Sequence, residues 1–265
     1  MNVPDTEVIA VRYATMVSTR AQQFYRYSAY SEPDGPLQLD YYFWLIREDD
    51  TLTMVDTGFS EAGASHRAGR NTLIPAVEAL RALEVDPDDV SRVIVTHFHY
   101  DHIGNLSAFP HARLTVQAKE LEFWTGAHGR LPAMAATVEA EEIEYIRAAH
   151  AEGRVDIVDG DHELSSNISV SLVGGHCPGQ QTVTVTTAEA QPGVVLCSDA
   201  VHFYEETQRL MPHHGVFDIE AMFTTYERTN ELEASGHRIV PGHDPAVMHR
   251  HPPAPGAEGL AVKIL

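Results

Sequence analysis

Four apolar, β-branched runs in this chain each lead into a turn that carries histidine or aspartate: "RVIVTHFHYDHIGN" (92–105), "ISVSLVGGHCPGQ" (168–180), "GVVLCSDA" (193–200) and "HRIVPGHD" (237–244). Runs of this kind read as strands. Groups placed just past a strand end are aimed into a shared space rather than into a core, so the pattern asks for sheets whose strand ends converge.

In an extended segment the side chains at i and i+2 point the same way, so His97, His99 and Asp101 face one side as the chain leaves the first strand. His102 follows, where Gly104 is expected to allow a sharp turn into a helix. Three imidazoles and a carboxylate so close together would repel on protonation, and would waste hydrogen-bonding capacity if buried without a cation. Neutral imidazole nitrogen and carboxylate oxygen are ligand types that Zn²⁺ takes. The remaining ligands are expected in glycine-rich turns at later strand ends. His176, Asp199 and His243 occupy such turns; singly each reads as a locally bonded group, and jointly they read as ligands.

Further strands are expected at "EVIAVRY" (7–13), "YYFWLI" (41–46), "TLTMVDTG" (51–58), "ARLTVQ" (112–117), "VDIVDG" (155–160) and "QTVTVTTA" (181–188). "NTLIPAVEALRALEV" (71–85) spaces Ile74, Val77, Leu80, Leu83 and Val85 as a helix with Asn71 or Thr72 as N-cap, and "DIEAMFTTYERTNELEASG" (218–236) reads as a helix capped by Asp218 and ended by Gly236. Two βα-rich halves of this kind suggest two packed sheets with outer helices. No repeat or low-complexity linker divides the chain, which reads as one domain over 1–265, with a mostly helical insertion at about 119–150 that is a candidate lid.

A chain of 265 residues buries a core without help from disulfides or a structural metal, so stability alone does not demand the histidines. Cys177 and Cys197 are too few for a disulfide framework and read as free thiols. No stretch approaches the roughly 20 apolar residues of a membrane span, and "MNVPDTEVIAVRY" has no basic patch leading into an apolar run. A cytoplasmic protein is expected. The net charge of −20 would repel a phosphate backbone. The expected partner is therefore a small-molecule substrate, without nucleic acid or membrane, for a monomer or homodimer.

The motifs H-x-H-x-D-H, G-H-x-P-G, S-D-A and P-G-H-D, in this order from "VDTG" (55–58) through His243, resemble the metallo-β-lactamase superfamily. The resemblance implies an α/β fold, an αββα sandwich of two packed mixed β-sheets with outer helices. It implies two Zn²⁺ per chain, with iron or manganese as alternatives: His97, His99 and His176 on one, Asp101, His102 and His243 on the other, Asp199 bridging. Asp56 would orient a ligand imidazole through its other ring nitrogen. The implied chemistry is hydrolysis, a hydroxide held between the metals attacking an sp² carbon and Asp101 carrying its proton to the leaving group.

Within that superfamily, true β-lactamases commonly carry cysteine or serine where Asp199 stands. The length, "HFHYDHIGN", the aspartate bridge and "PGHD" resemble the quorum-quenching lactonase branch of N-acyl-homoserine lactonases and pyridoxolactonase. Those lactonases place a tyrosine three residues after the bridge to contact the substrate carbonyl; here His202 holds that position and Tyr204 is the nearest tyrosine. Both are candidate catalytic contacts. Opening of a small lactone ring is the expected reaction, with cleavage of a thioester of glyoxalase II type, of a cyclic amide, or iron-dependent dioxygenation as alternatives. "MPHHGVF" (211–217) reads as an exposed loop and "STRAQQFYRYSAY" (18–30) as an ordered surface loop, with lining of the pocket mouth as its alternative. Cys177 reads as small packing, and Phe123 and Trp124 as helix-face core.

Overall fold

The β-branched runs pair into two sheets in the computed structural model, which describes residues 6–187 and 192–265. The first five residues, on which the reading of the N-terminus partly falls, and Ala188 at the end of "QTVTVTTA" lie outside the described residues. The strands are β1 (Thr6–Thr19), β2 (Pro36–Glu48), β3 (Thr51–Val55), β4 (Asn71–Thr72), β5 (Val90–Ile94), β6 (Arg113–Gln117), β7 (Val155–Val158), β8 (His162–Glu163), β9 (Ile168–Leu172), β10 (Gln181–Val185), β11 (Val194–Ser198), β12 (Arg238–Pro241) and β13 (Ala261–Lys263). One sheet has the order β13-β1-β2-β3-β5-β6-β7, with β4 on β1; the other runs β12-β11-β10-β9-β8. Both are mixed: β3, β5, β6 and β7 are parallel, as are β11 and β12, while the other pairs are antiparallel.

Successive residues of β1 serve different layers. Val8 and Ala10 join Trp44, Val55 and Ile94 of the same sheet against Val170, Val183, Leu196 and Val240 of the other, forming the core between the sheets. Ile9, Val11 and Tyr13 point outward to Ala79, Leu80, Ile143 and Ile146 on helices. Burial on both faces is why β1 and β2 read as continuous apolar runs instead of alternating ones. On the far side, Val195, Cys197 and Ile239 of the second sheet receive Met222 and Tyr226 of the helix Ile219–Ala234. The result is the expected αββα sandwich.

The helix Ile219–Ala234 starts where Asp218 accepts from the backbone N–H groups of Glu220 and Ala221, and buries Met222, Thr225, Tyr226 and Thr229, at i, i+3, i+4 and i+7. The other expected helix begins later than its spacing suggests. It covers Ala76–Ala82, with Pro75 at the N-cap, while Asn71 and Thr72 pair with Thr15 and Ala14 of β1. A residue before proline is pushed toward extended backbone, so Ile74 delays the helix by steric exclusion. Residues 119–150 fall within the helices Ala118–Thr125, Pro132–Ala135 and Ala140–Ala151 and their connections. Among the described residues no helix is long and apolar enough to cross a membrane, and both cysteines are buried and free.

Candidate metal centre

Four strand ends deliver the seven candidate ligands to one place. His97, His99, Asp101 and His102 follow β5, the last two on the short helix Tyr100–Ile103; His176 follows β9, Asp199 follows β11 and His243 follows β12. Parallel pairing of β11 with β12 sets Ser198 beside Pro241 and so brings Asp199 and His243 together. The two oxygens of Asp199 face different imidazoles. Oδ1 lies 3.0 Å from His243 Nε2 and 3.2 Å from His102 Nε2, whereas Oδ2 lies 3.4 Å from His176 Nε2 and 3.8 Å from His97 Nε2. Asp101 Oδ2 is 3.8 Å from both His102 Nε2 and His243 Nε2, and His99 Nδ1 is 2.8 Å from His176 Nε2.

His97 Nε2, His102 Nε2 and Asp199 Oδ1 are buried and make no hydrogen bond within the protein. Each such orphan costs about 1–3 kcal/mol in an apolar surround. The candidate donors gather in overlapping groups of three or four, among them His97 with His102 and Asp199 and Asp101 with His102 and His243, and such nitrogen and oxygen donors with unsatisfied atoms fit a divalent cation of the zinc type.

The outward-facing nitrogens of these rings are tied down, which fixes the inward ones. His176 Nδ1 donates to the Gly215 carbonyl at 2.8 Å and His243 Nδ1 to the Asp40 carbonyl at 2.9 Å. His97 Nδ1 lies 3.1 Å from Thr96 Oγ1, and His99 Nε2 lies 3.3 Å from Cys177 Sγ. Asp56 holds the fifth ring: its Oδ2 is 2.8 Å from His102 Nδ1, and its carboxylate accepts from Thr96 N, Thr96 Oγ1 and Ser198 Oγ at 2.8, 2.8 and 3.1 Å. Asp56 and Ser198 both have left-handed backbone, φ 61° and 47°, a strained state held by this mesh of bonds. Tyr13 adds a brace from β1, its hydroxyl donating to the Asp101 carbonyl at 3.2 Å.

Gly104 works differently from the sequence expectation. Its backbone is ordinary right-handed helix, φ −66°, so no special turn is needed. What glycine provides is closeness: a Cβ there would sit 2.4 Å from Ser60 N and 2.7 Å from Phe59 Cα.

His202 sits against the ligands, Nε2 3.1 Å from Asp199 Oδ2, and its Nδ1 is 3.4 Å from Glu206 Oε1. Burial opposes a charge on this ring, but Asp199 and Glu206 raise its pKa to about 10. Glu206 is itself held by the Tyr226 hydroxyl at 2.7 Å and the His202 backbone N–H at 3.2 Å. Tyr204 is elsewhere: it packs in the core between the sheets with Arg250 3.6 Å over its ring, and is absent from the cavity wall.

Several contributors were not legible as such. His213 is buried, not an exposed loop residue; it bonds Gln23 Oε1 through Nε2 at 3.0 Å, and burial with the neighbouring His202 holds its pKa well below the usual imidazole value. Gln23 belongs to the stretch expected at the surface, where Ala21, Gln22, Arg26, Ser28 and Ala29 are exposed as expected, but Gln23, Phe24 and Tyr27 are buried, with an isolated bridge between Phe24 and His213. Glu120, fully buried and pushed up to about 7 by that burial, accepts from Phe98 N, Gly179 N and Trp124 Nε1 at 2.8, 2.8 and 2.6 Å, and so joins the two histidine-bearing loops. Trp124 is buried core, as its helical position suggests, and also meets His99 edge-on with centroids 5.8 Å apart. No local pattern marks Gln23, Glu120 or His213.

Asp101, Asp199, His202 and His243 open onto a cavity of about 360 Å³, whose other walls include Tyr41, Tyr100, Arg67, Arg70, Ala136 and Thr137. That is the small end of the range of roughly 300–1,000 Å³ usual for ligand pockets.

Residues 39–254 match the family model described as "Metallo-beta-lactamase superfamily". The chain is 26% identical over 226 residues to N-acyl homoserine lactonase AiiA of Bacillus thuringiensis subsp. kurstaki, covering 80% of this chain and 84% of that protein. It is 27% identical over 186 residues to N-acyl homoserine lactonase AttM of Azorhizobium caulinodans, covering 68% of each. Among solved structures it superposes on a quorum-quenching N-acyl homoserine lactone lactonase with a TM-score of 0.72 at 22% identity, over 92% of this chain and 94% of that one. AidC, a dizinc quorum-quenching lactonase in complex with a product, gives a TM-score of 0.73 at 15% identity, over 92% and 90%.

Proposed function

The chain belongs to the metallo-beta-lactamase superfamily and is a metal-dependent hydrolase; on that premise we propose that it opens the ring of a small lactone, and that His97, His99 and His176 would hold one Zn²⁺ and Asp101, His102 and His243 a second, with Asp199 contributing its carboxylate. The observation that carries this reading is Asp199, whose Oδ1 faces His102 and His243 and whose Oδ2 faces His97, His176 and His202, at the floor of a small cavity. The similarity to N-acyl homoserine lactonases over most of the chain supports lactones above other carbonyl substrates. Bound there, such cations lower the pKa of a water and polarise a carbonyl, which is the chemistry that ring opening requires.

The protein groups have separate tasks. Asp101, whose Oδ2 is turned toward His102 and His243, holds the proton released as water adds to the ring carbonyl and passes it to the ring oxygen when the C–O bond breaks. His202 presents Nε2 beside Asp199 Oδ2, where it donates to the carbonyl oxygen as negative charge develops. Glu206, 3.4 Å from Nδ1 on the far side of that ring but without a hydrogen bond to it, supplies a negative charge that favours a proton there. Tyr204 has no part, since its ring lies between the sheets.

The test pairs metal analysis with a proton-release screen of the zinc-loaded protein on a lactone, an S-acyl glutathione, a β-lactam and a cyclic amide. The expected result is about two zinc per chain and acid release from the lactone without oxygen consumption. Bound iron with oxygen uptake, or faster thioester cleavage, would replace the reading.

A further inference from the structure

Two arginines stand on the cavity wall, and their hydrogen bonds set them apart. Arg67 is saturated: Nη1 donates to the Gly63 carbonyl and the Glu139 carboxylate, Nη2 to the carbonyls of Ala136 and Val138, and the guanidinium lies 3.7 Å over the Tyr100 ring. Arg70 is half satisfied. Its Nε donates to the Tyr100 hydroxyl at 2.9 Å and Nη1 to the Ala68 carbonyl at 2.8 Å, while Nη2 makes no bond and no carboxylate pairs with the group among the described residues. A guanidinium has five N–H donors in a fixed fork, so most of this fork is free.

Arg26, Arg92, Arg130, Arg238 and Arg250 likewise make no ion pair among the described residues, but none of them lines the cavity, and Arg70 does. Arg12, Arg20, Arg67, Arg113, Arg154 and Arg209 each find a carboxylate. Arg70 is half-buried, bordering the cavity that the metal ligands floor. Its tether is also directional. Tyr100 precedes Asp101 in the chain, and the neighbouring Tyr41 meets the His243 ring edge-on with centroids 5.0 Å apart. An aromatic wall thus runs from the ligands to the free fork.

We propose that Arg70 is a specificity-determining residue, and that the substrate is a compact lactone carrying a carboxylate apart from its ring ester, which Arg70 takes through its free donors while the ring lies along Tyr41 and Tyr100. The proposal rests on the lactonase reading for the bond that is cleaved, but the carboxylate requirement stands on Arg70 itself. Planar carboxylate matches the fork. A planar carboxylate also takes less room than a tetrahedral phosphate in a cavity of about 360 Å³. A cavity of about 360 Å³ favours a compact molecule over one with a long acyl chain.

The test uses calorimetric binding to the zinc-loaded protein of two ring-opened hydroxy acids of one skeleton, with either a remote carboxylate or the matching carboxamide; a remote phosphate ester forms a third arm. Wild type is expected to bind the carboxylate about 10–100-fold more tightly than the amide and more tightly than the phosphate. Arg70→Met is expected to abolish the preference, and Arg70→Lys to keep only part of it, since a point charge lacks the fork. Arg70→Gln, which still reaches Tyr100, serves if Arg70→Met loses zinc or native circular dichroism. Equal binding of acid and amide by wild type, a preference that survives removal of the guanidinium, or tighter binding of the phosphate would overturn the proposal. Turnover of the two parent lactones separates the readings: a preference in binding with neither ring opened would reject the lactonase reading and leave Arg70 as the carboxylate site.

Discussion

His202 lies face to face with His213, ring centroids 3.5 Å apart and planes 21° from parallel. Two imidazolium rings at that spacing would repel, and the surroundings divide the roles: Glu206 is at Nδ1 of His202, whereas His213 has the Gln23 amide. Of the two, His202, beside Asp199 and Glu206, is the one whose pKa is raised. His202→Phe preserves a flat ring for the stack and removes the donor. On the lactone that wild type opens best, kcat is expected to fall about 10²-fold with little change in KM, as for loss of one oxyanion donor. Steady-state kinetics with zinc content held equal checks this, and an unchanged kcat would remove His202 from the reaction.

Asp56 sets the direction of His102 while bonding Thr96 and Ser198. In Asp56→Asn only one oxygen is left to accept, and the amide NH₂ must face a donor. Zinc affinity is expected to drop about 10–100-fold. Competition against a chromophoric chelator measures it directly; affinity within twofold of wild type would mean that the ring is held by other bonds.

For Gly104 the obstacle to substitution is backbone, not a movable side chain, at both closest contacts. Gly104→Ala is expected to destabilise the protein by about 3 kcal/mol or more, because neither Ser60 nor Phe59 can give way without shifting the chain beside the metal ligands. Urea unfolding of wild type and variant decides the matter. A loss under about 1 kcal/mol would show that the close approach relaxes easily.

Glu142 is partly buried near Glu139 and Glu141, and burial first, then those two charges, push it up to about 7. A carboxyl whose pKa rises on folding binds more protons in the native state, so its contribution is fully present below about pH 4.5 and is lost as pH rises through 7. Glu142→Gln removes that penalty. Relative to wild type, the variant is expected to melt about 1–3 °C higher at pH 8, with the gap closing toward pH 5. A gap that is the same at both pH values would place the effect outside ionisation.

The gathering of the candidate ligands was legible because each sits in a short contiguous motif at the end of an apolar run, where strand periodicity decides which way the side chain leaves the sheet. The helix at 219–234 was legible for a similar reason, since Asp218 and Gly236 mark its ends locally. What escaped depends on contacts between distant parts of the chain. Gln23 reaches His213 only because a bridge joins Phe24 to the loop after a left-handed Leu210, and no spacing within 18–30 announces it. Glu120 acts on Phe98 and Gly179 from a helix start. Tyr204, two residues beyond His202, turns away because it opens the helix Tyr204–Arg209 with its N–H held by Asp244 Oδ2 at 3.0 Å.

Four of the candidate ligands follow a strand of the first sheet and three follow strands of the second. In the proposed assignment the cation on Asp101, His102 and His243 would close a loop from position 101 to position 243, more than half the chain. Because the site exists only when the two sheets are packed, such an ion would bind the folded chain and not the disordered one, and its binding free energy would be folding free energy. The same side chains that prepare the chemistry would thus clasp the two sheets together, so a chelator is expected to lower stability along with activity.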